Sequence, residues 1–135
     1  MATLTVCLDS NAYSDFKRGV RQVARLLERA DEILVPAVVL GELHAGFAGG
    51  RKRAENEQEL SLFLGKRGVR FIPVEERIAR RYGDLVAFLR QQGTPIPTND
   101  IWIAAAALEY GAVLLSRDGH FDRVPLLERM EGDFE

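Results

Sequence analysis

The chain has 135 residues, 47% hydrophobic and 28% charged, with 18 basic and 20 acidic side chains and a formal net charge of −2. That length suits one domain spanning 1–135, burying roughly two-thirds of its unfolded surface, and the near-balanced charge excludes the basic excess of a non-specific nucleic-acid binder. A single cysteine, Cys7, excludes a disulfide framework, and no apolar run approaches the ~18 residues needed to span a bilayer. A cytoplasmic, unprocessed protein with no membrane role is therefore expected.

In chain order, residues 3–8 form an apolar, β-branched run that predicts a first strand ending at Asp9, with Cys7 buried inside it as a small hydrophobe. Val20, Val23, Ala24, Leu26, Leu27 and Ala30 recur at helical spacing. A second strand is expected at 33–35, then a helix over 37–47 closed by Gly49-Gly50, and another over 51–64. A strand at 69–74 carries Pro73, which suggests an edge position or an early end. The spacing of Ile78, Tyr82, Leu85, Val86 and Leu89 predicts a helix over 75–92, stopped by Gly93. After the rigid Thr94-Pro95-Ile96-Pro97 loop, Thr98 or Asn99 caps a helix running to Tyr110, with Asp100 in its first turn. A fourth strand at 113–115 delivers Ser116 and Asp118. Strands alternating with helices predict an α/β fold, a three-layer α/β/α sandwich around a mainly parallel sheet.

Four acids stand at strand ends or near helix starts: Asp9, Glu42, Asp100 and Asp118. In open α/β sheets those strand ends converge on the ligand crevice. Gathering carboxylates is costly, since two charges 4 Å apart repel by about 4 kcal/mol at an effective dielectric of 20. Either protons are held at raised pKa or a hard divalent cation is bound, and an all-oxygen donor set suits Mg²⁺ or Mn²⁺. Such an ion would serve phosphodiester chemistry. His44 and His120 show no zinc-ligand spacing with Cys7 and are expected on the surface or a helix face. No G-x-S-x-G elbow, P-loop or G-x-G-x-x-G is present. A phosphatase or phosphotransferase using Asp9 as nucleophile is the alternative, although Asn11 stands where it would want a second acid. A binding module with an inactive site is a third reading.

The stretches Val6-Cys7-Leu8-Asp9-Ser10-Asn11, Val39-Leu40-Gly41-Glu42-Leu43-His44-Ala45-Gly46, the run from Gly93 through Asn99-Asp100-Ile101-Trp102 to Ala105, and Leu114-Leu115-Ser116-Arg117-Asp118-Gly119-His120-Phe121 resemble the PIN-domain nucleases, and within them the VapC-like toxins of toxin–antitoxin pairs. The resemblance covers essentially the whole chain. It implies an endoribonuclease dependent on Mg²⁺ or Mn²⁺, with Asp9, Glu42, Asp100 and Asp118 as catalytic acids and Asp9 and Asp100 holding the metal. Ser116 and Ser10 match positions where threonine is frequent. Asn11 and Ser116 are either hydrogen-bonding supports for the acids or local caps. Asp122 is a supporting acid, a ligand in place of Asp118, or a surface charge, because the segment after Phe121 lacks the expected glycine after Pro125. The resemblance further implies an RNA substrate, a cognate antitoxin and a homodimer, with the faces of the helices at 37–47 and 51–64 as candidate surfaces. Trp102 is expected in the core or a dimer interface. Arginine dominates the basic residues, in clusters at 51–53, 66–70 and 77–81; these are solvated helix faces or phosphate contacts.

Overall fold

The computed structural model describes residues 3–130. Strands β1 (Thr5–Leu8), β2 (Glu32–Pro36), β3 (Val69–Ile72) and β4 (Val113–Leu115) form one sheet in the order β3-β2-β1-β4. Every pairing is parallel. Cys7 lies opposite Leu34 on one side and Leu114 on the other, so β1 is interior to the sheet. Val6, Cys7 and Leu8 are accordingly all buried, as expected for a parallel strand covered on both faces. Burial also pushes the Cys7 thiol above its ordinary range, which disfavours the thiolate.

The helices are α1 (Ser10–Lys17), α2 (Arg21–Arg29), α3 (Ala37–Ala48), α4 (Arg53–Leu64), α5 (Glu76–Gln91) and α6 (Thr98–Glu109), followed after β4 by a 3₁₀ turn at Gly119–Arg123. Connections β1 to β2 and β2 to β3 step one way across the sheet, whereas β3 to β4 steps back past both. Right-handed crossovers therefore put the first four helices on one face and α5 and α6 on the other, giving the three-layer α/β/α arrangement. Helix α6 sits close to the sheet because Ala104, Ala105, Ala106 and Ala107 are all buried and slim. It also packs on α5, with Tyr82 stacked on half-buried Trp102 at a ring separation of 3.8 Å.

Two elements differ from the sequence expectation. Residues 10–17 form a helix that apolar spacing does not announce, because its buried face comprises Ala12, Tyr13 and the carboxylate of Asp15. The third strand ends at Ile72, before Pro73, and β3 is an edge of the sheet as that proline suggests. At its entrance Gly68 adopts φ +86°, and a Cβ there would lie 3.2 Å from the Asp31 carbonyl oxygen. The Gly68 carbonyl accepts from the Ile33 N–H at 2.7 Å, locking β3 to β2. The outer edge of β4 is covered by the tail: the Leu114 N–H donates to the Glu128 carbonyl at 2.8 Å, and the Met130 N–H donates to the Leu114 carbonyl at 2.9 Å.

The sheet order places β1 beside β4 where the connections leave in opposite directions. That is the crevice in which ligands of open α/β sheets bind, at the carboxyl ends of the strands.

Candidate active site

Asp9 stands at the end of β1 and caps α1. Its extended backbone (φ −91°, ψ 173°) turns the chain directly from strand to helix, and its Oδ1 accepts from the Ala12 N–H at 2.7 Å. The residue is only 4% exposed. Burial raises its pKa from the usual 3.8 to about 6; the hydrogen bonds from the Ser116 hydroxyl and the Ala12 N–H oppose the rise, and the charges of Asp100 and Asp118 add to it. Those charge effects place the three carboxylates in one electrostatic site.

Ser116 and Asp118 follow β4, the neighbour of β1. The buried Ser116 hydroxyl donates to Asp9 and its Oγ accepts from the Asp118 N–H at 3.1 Å, so one side chain couples the two loops. Asp118 caps the 3₁₀ turn, its Oδ1 accepting from the His120 N–H at 2.9 Å. Asp100 lies in the first turn of α6, where unpaired N–H groups favour a carboxylate. Its pKa is raised chiefly by burial; His120 opposes the rise through a hydrogen bond and Asp118 adds to it.

Glu42 projects from α3 at the rim. Ser10 Oγ donates to its Oε1 at 3.2 Å, and Asn99 Nδ2 donates to its Oε2 over a long 3.5 Å. Ser10 follows Asp9 and Asn99 precedes Asp100, so Glu42 is tied to the segments that carry both acids. Asn11 is exposed, with no hydrogen bond from its side chain to these acids among the described residues. The Asp122 side chain is 69% exposed and ion-paired with Arg129, which also donates from Nη2 to the Ser116 carbonyl at 3.1 Å.

Two further residues touch the acids or the loop that carries them. His120, expected on the surface or a helix face, places Nδ1 3.0 Å from Asp100 Oδ2 and 3.1 Å from Asp118 Oδ1; its place two residues beyond Asp118 was the available signal. Asp15, only 2% exposed, accepts from Arg117 Nη2 at 2.6 Å and pairs with Arg18. That pair ties α1 to the loop bearing Ser116 and Asp118, 102 residues away in sequence. No local pattern marks it.

The donor set suits a divalent cation. Ligand atoms of Asp100, Asp118 and His120 lie within 4.8 Å of one another, next to a third carboxylate, Asp9, whose pKa burial raises. A cation would offset the cost of burying these charges and the repulsion among them, the two causes that raise these pKa values.

The PIN domain family model matches residues 6–127. Over 103 residues, 76% of this chain and 75% of the relative, the sequence is 31% identical to Ribonuclease VapC2 of Rickettsia felis. It is 30% identical over 108 residues to Ribonuclease VapC1 of Haemophilus influenzae, covering 79% of this chain and 78% of that protein. Among solved structures, the fold is similar to VapBC-1 from nontypeable Haemophilus influenzae, with a TM-score of 0.83 at 25% identity and coverage of 95% and 98% of the two chains. It is also similar to VapBC2 from Rickettsia felis bound to a promoter DNA fragment, with a TM-score of 0.80 at 26% identity and coverage of 94% and 98%. With the acids gathered at the β1–β4 crevice and the match running nearly end to end, the chain belongs to the PIN domain family, among its VapC-like members.

Proposed function

We propose that this chain is a divalent-metal-dependent endoribonuclease and the toxin of a toxin–antitoxin pair. The observation that carries the reading is the convergence of Asp9, Asp100 and Asp118 on one crevice, where burial and mutual charge raise the pKa of Asp9 and Asp100. Isolated helix caps would have no reason to cluster in this way. The VapC relatives, named as ribonucleases, support RNA as the substrate.

Asp9 and Asp100 would hold Mg²⁺ or Mn²⁺, with Asp118 beside them. When bound, such an ion offsets carboxylate charge and supplies Lewis acidity at a phosphate oxygen. Ser116 fixes Asp9 relative to the Asp118 backbone, so the carboxylates are held in place before substrate arrives. Glu42, steadied by Ser10 and Asn99, would orient the attacking water and take its proton at a carboxylate oxygen. A phosphotransferase reading fits less well: the buried Asp9 carboxylate already accepts from Ala12 and Ser116, which blunts it as a nucleophile.

A cognate antitoxin is part of the proposal, supported by the likeness to the VapBC structures. An arginine of such a partner would be drawn to the acids and would compete with the cation. A homodimer is proposed through the faces of α3 and α4, where Leu62 is 67% exposed. No helix among the described residues is long and apolar enough to cross a membrane.

The test is cleavage of RNA by the purified chain. Activity should disappear in EDTA, return with Mg²⁺ or Mn²⁺, and fall at least ~100-fold in Asp100→Asn, as for loss of a catalytic electrostatic group. Undiminished cleavage in chelator would refute the metal reading. Expression of the chain should slow growth, Asp100→Asn should not, and the adjacent reading frame should rescue; equal toxicity of the two would separate harm from cleavage.

A further inference from the structure

We infer that His120 belongs to the metal-holding set: with Asp100 and Asp118 it forms a mixed nitrogen–oxygen site that favours Mn²⁺ and neighbouring transition ions over Mg²⁺. The inference rests on the metal-dependent reading above, in which Asp9 and Asp100 hold the ion, and adds Asp118 and His120 as ligands and a selectivity to it.

Geometry is the first support. Nδ1 of His120 lies 3.0 Å from Asp100 Oδ2 and 3.1 Å from Asp118 Oδ1, and one ligand atom from each of the three residues falls within 4.8 Å of the others. Two ligands at right angles on a six-coordinate ion, each about 2.1 Å from it, are about 3.0 Å apart. The two nitrogen–oxygen separations therefore already match edges of such an octahedron.

Backbone order is the second. The turn that positions Asp118 also positions His120, because the His120 N–H donates to Asp118 Oδ1 at the start of the 3₁₀ turn. Phe121, buried immediately after it, anchors that turn in the core. His120 thus reaches the acids from a rigid segment, and its side chain keeps 42% exposure, leaving a path for an ion from solvent.

Ligand chemistry is the third. Carboxylates suit Mg²⁺ and Mn²⁺ alike, whereas imidazole suits first-row transition ions, and Mg²⁺ is served by oxygen donors. One nitrogen in an otherwise oxygen site therefore raises affinity for Mn²⁺ more than for Mg²⁺. A hydrogen bond from His120 to the two acids, with no place for nitrogen on the ion, is the competing account.

The full chain would be titrated with Mn²⁺ by electron paramagnetic resonance and with Mg²⁺ by calorimetry, alongside His120→Ala, His120→Gln and Asp100→Asn. Pulsed resonance on the Mn²⁺-loaded wild type should show nitrogen coupling that both His120 variants lack. His120→Ala and His120→Gln should lose about 10-fold or more in Mn²⁺ affinity, of the order seen when the ligand environment of a metal is damaged, with Mg²⁺ affinity within about threefold. His120→Gln retains hydrogen-bonding capacity, so preserved Mn²⁺ affinity in that variant would favour the hydrogen-bond account and overturn the proposal. Absence of nitrogen coupling in the wild type, or equal losses for both ions, would overturn it as well. A wild type that binds neither ion, with Asp100→Asn indistinguishable from it, would refute the underlying metal reading instead.

Discussion

Asp9→Asn should stabilise the metal-free protein at neutral pH while abolishing its activity. The native Asp9 carboxyl titrates near 6 against an ordinary 3.8 because it is buried and faces Asp100 and Asp118. Between about pH 4 and pH 6 the unfolded chain has released this proton and the native chain still holds it. Stability therefore falls as pH rises through that window, by up to about 1.4 kcal/mol per unit, and the full penalty of about 3 kcal/mol persists above it. Asparagine carries no charge to desolvate and keeps an oxygen to accept from the Ala12 N–H, so the helix cap survives. In EDTA at pH 7.5 the variant should melt about 10 °C higher than wild type, with the difference closing by pH 4. Urea unfolding of both proteins at half-unit pH steps measures the gap. Adding Mn²⁺ should raise the wild type and leave the variant nearly unchanged, narrowing the difference from the other side. A gap independent of pH, or a variant less stable than wild type at pH 7.5, would refute the claim that desolvation and clustered charge govern Asp9.

Other perturbations separate the remaining residues. Asp118→Asn should reduce RNA cleavage at least ~100-fold, whereas Asp122→Asn should stay within about threefold, because Asp122 is exposed and held by Arg129; the reverse ranking in steady-state rates would reassign the fourth acid. Ser116→Ala removes a hydrogen bond that lowers the Asp9 pKa, so apo stability at pH 7 should drop by about 1–2 kcal/mol, with a smaller loss at pH 4, measured by denaturation at both values. Asp15→Ala should cost about 1–3 kcal/mol, below the range for a fully buried pair because the Arg117 side chain is 48% exposed and regains water, and chemical denaturation would check it.

Much of the architecture is local in origin and was therefore legible in the residues. The run ending at Leu8, the alanines of α6 and the prolines and glycines around 93–97 each report their own burial or backbone geometry, and right-handed crossovers then restrict how such segments assemble. Asp9, Asp100 and Asp118 could be singled out for a related reason: each follows a strand or lies in the first turn of a helix, and strand ends share one side of a parallel sheet, whereas Glu42 lies a turn inside α3. Helix α1 was not legible, because a buried carboxylate sits on the face where periodicity looks for an apolar residue, and Asp15 is acceptable there only because Arg117 arrives from the far end of the chain.

The residues by themselves determined the fold class and the order of its elements, and they singled out the acids proposed to face a cation. Which neighbours surround those acids was decided only by tertiary structure. Burial of Asp9 depends on β4 lying beside β1, the coupling role of Ser116 depends on that same adjacency, and His120 meets Asp100 only because the 3₁₀ turn folds back over the start of α6. Desolvation and Coulomb coupling act through space, and they join Asp9 to Asp118, far apart in sequence, only once the chain has closed the crevice.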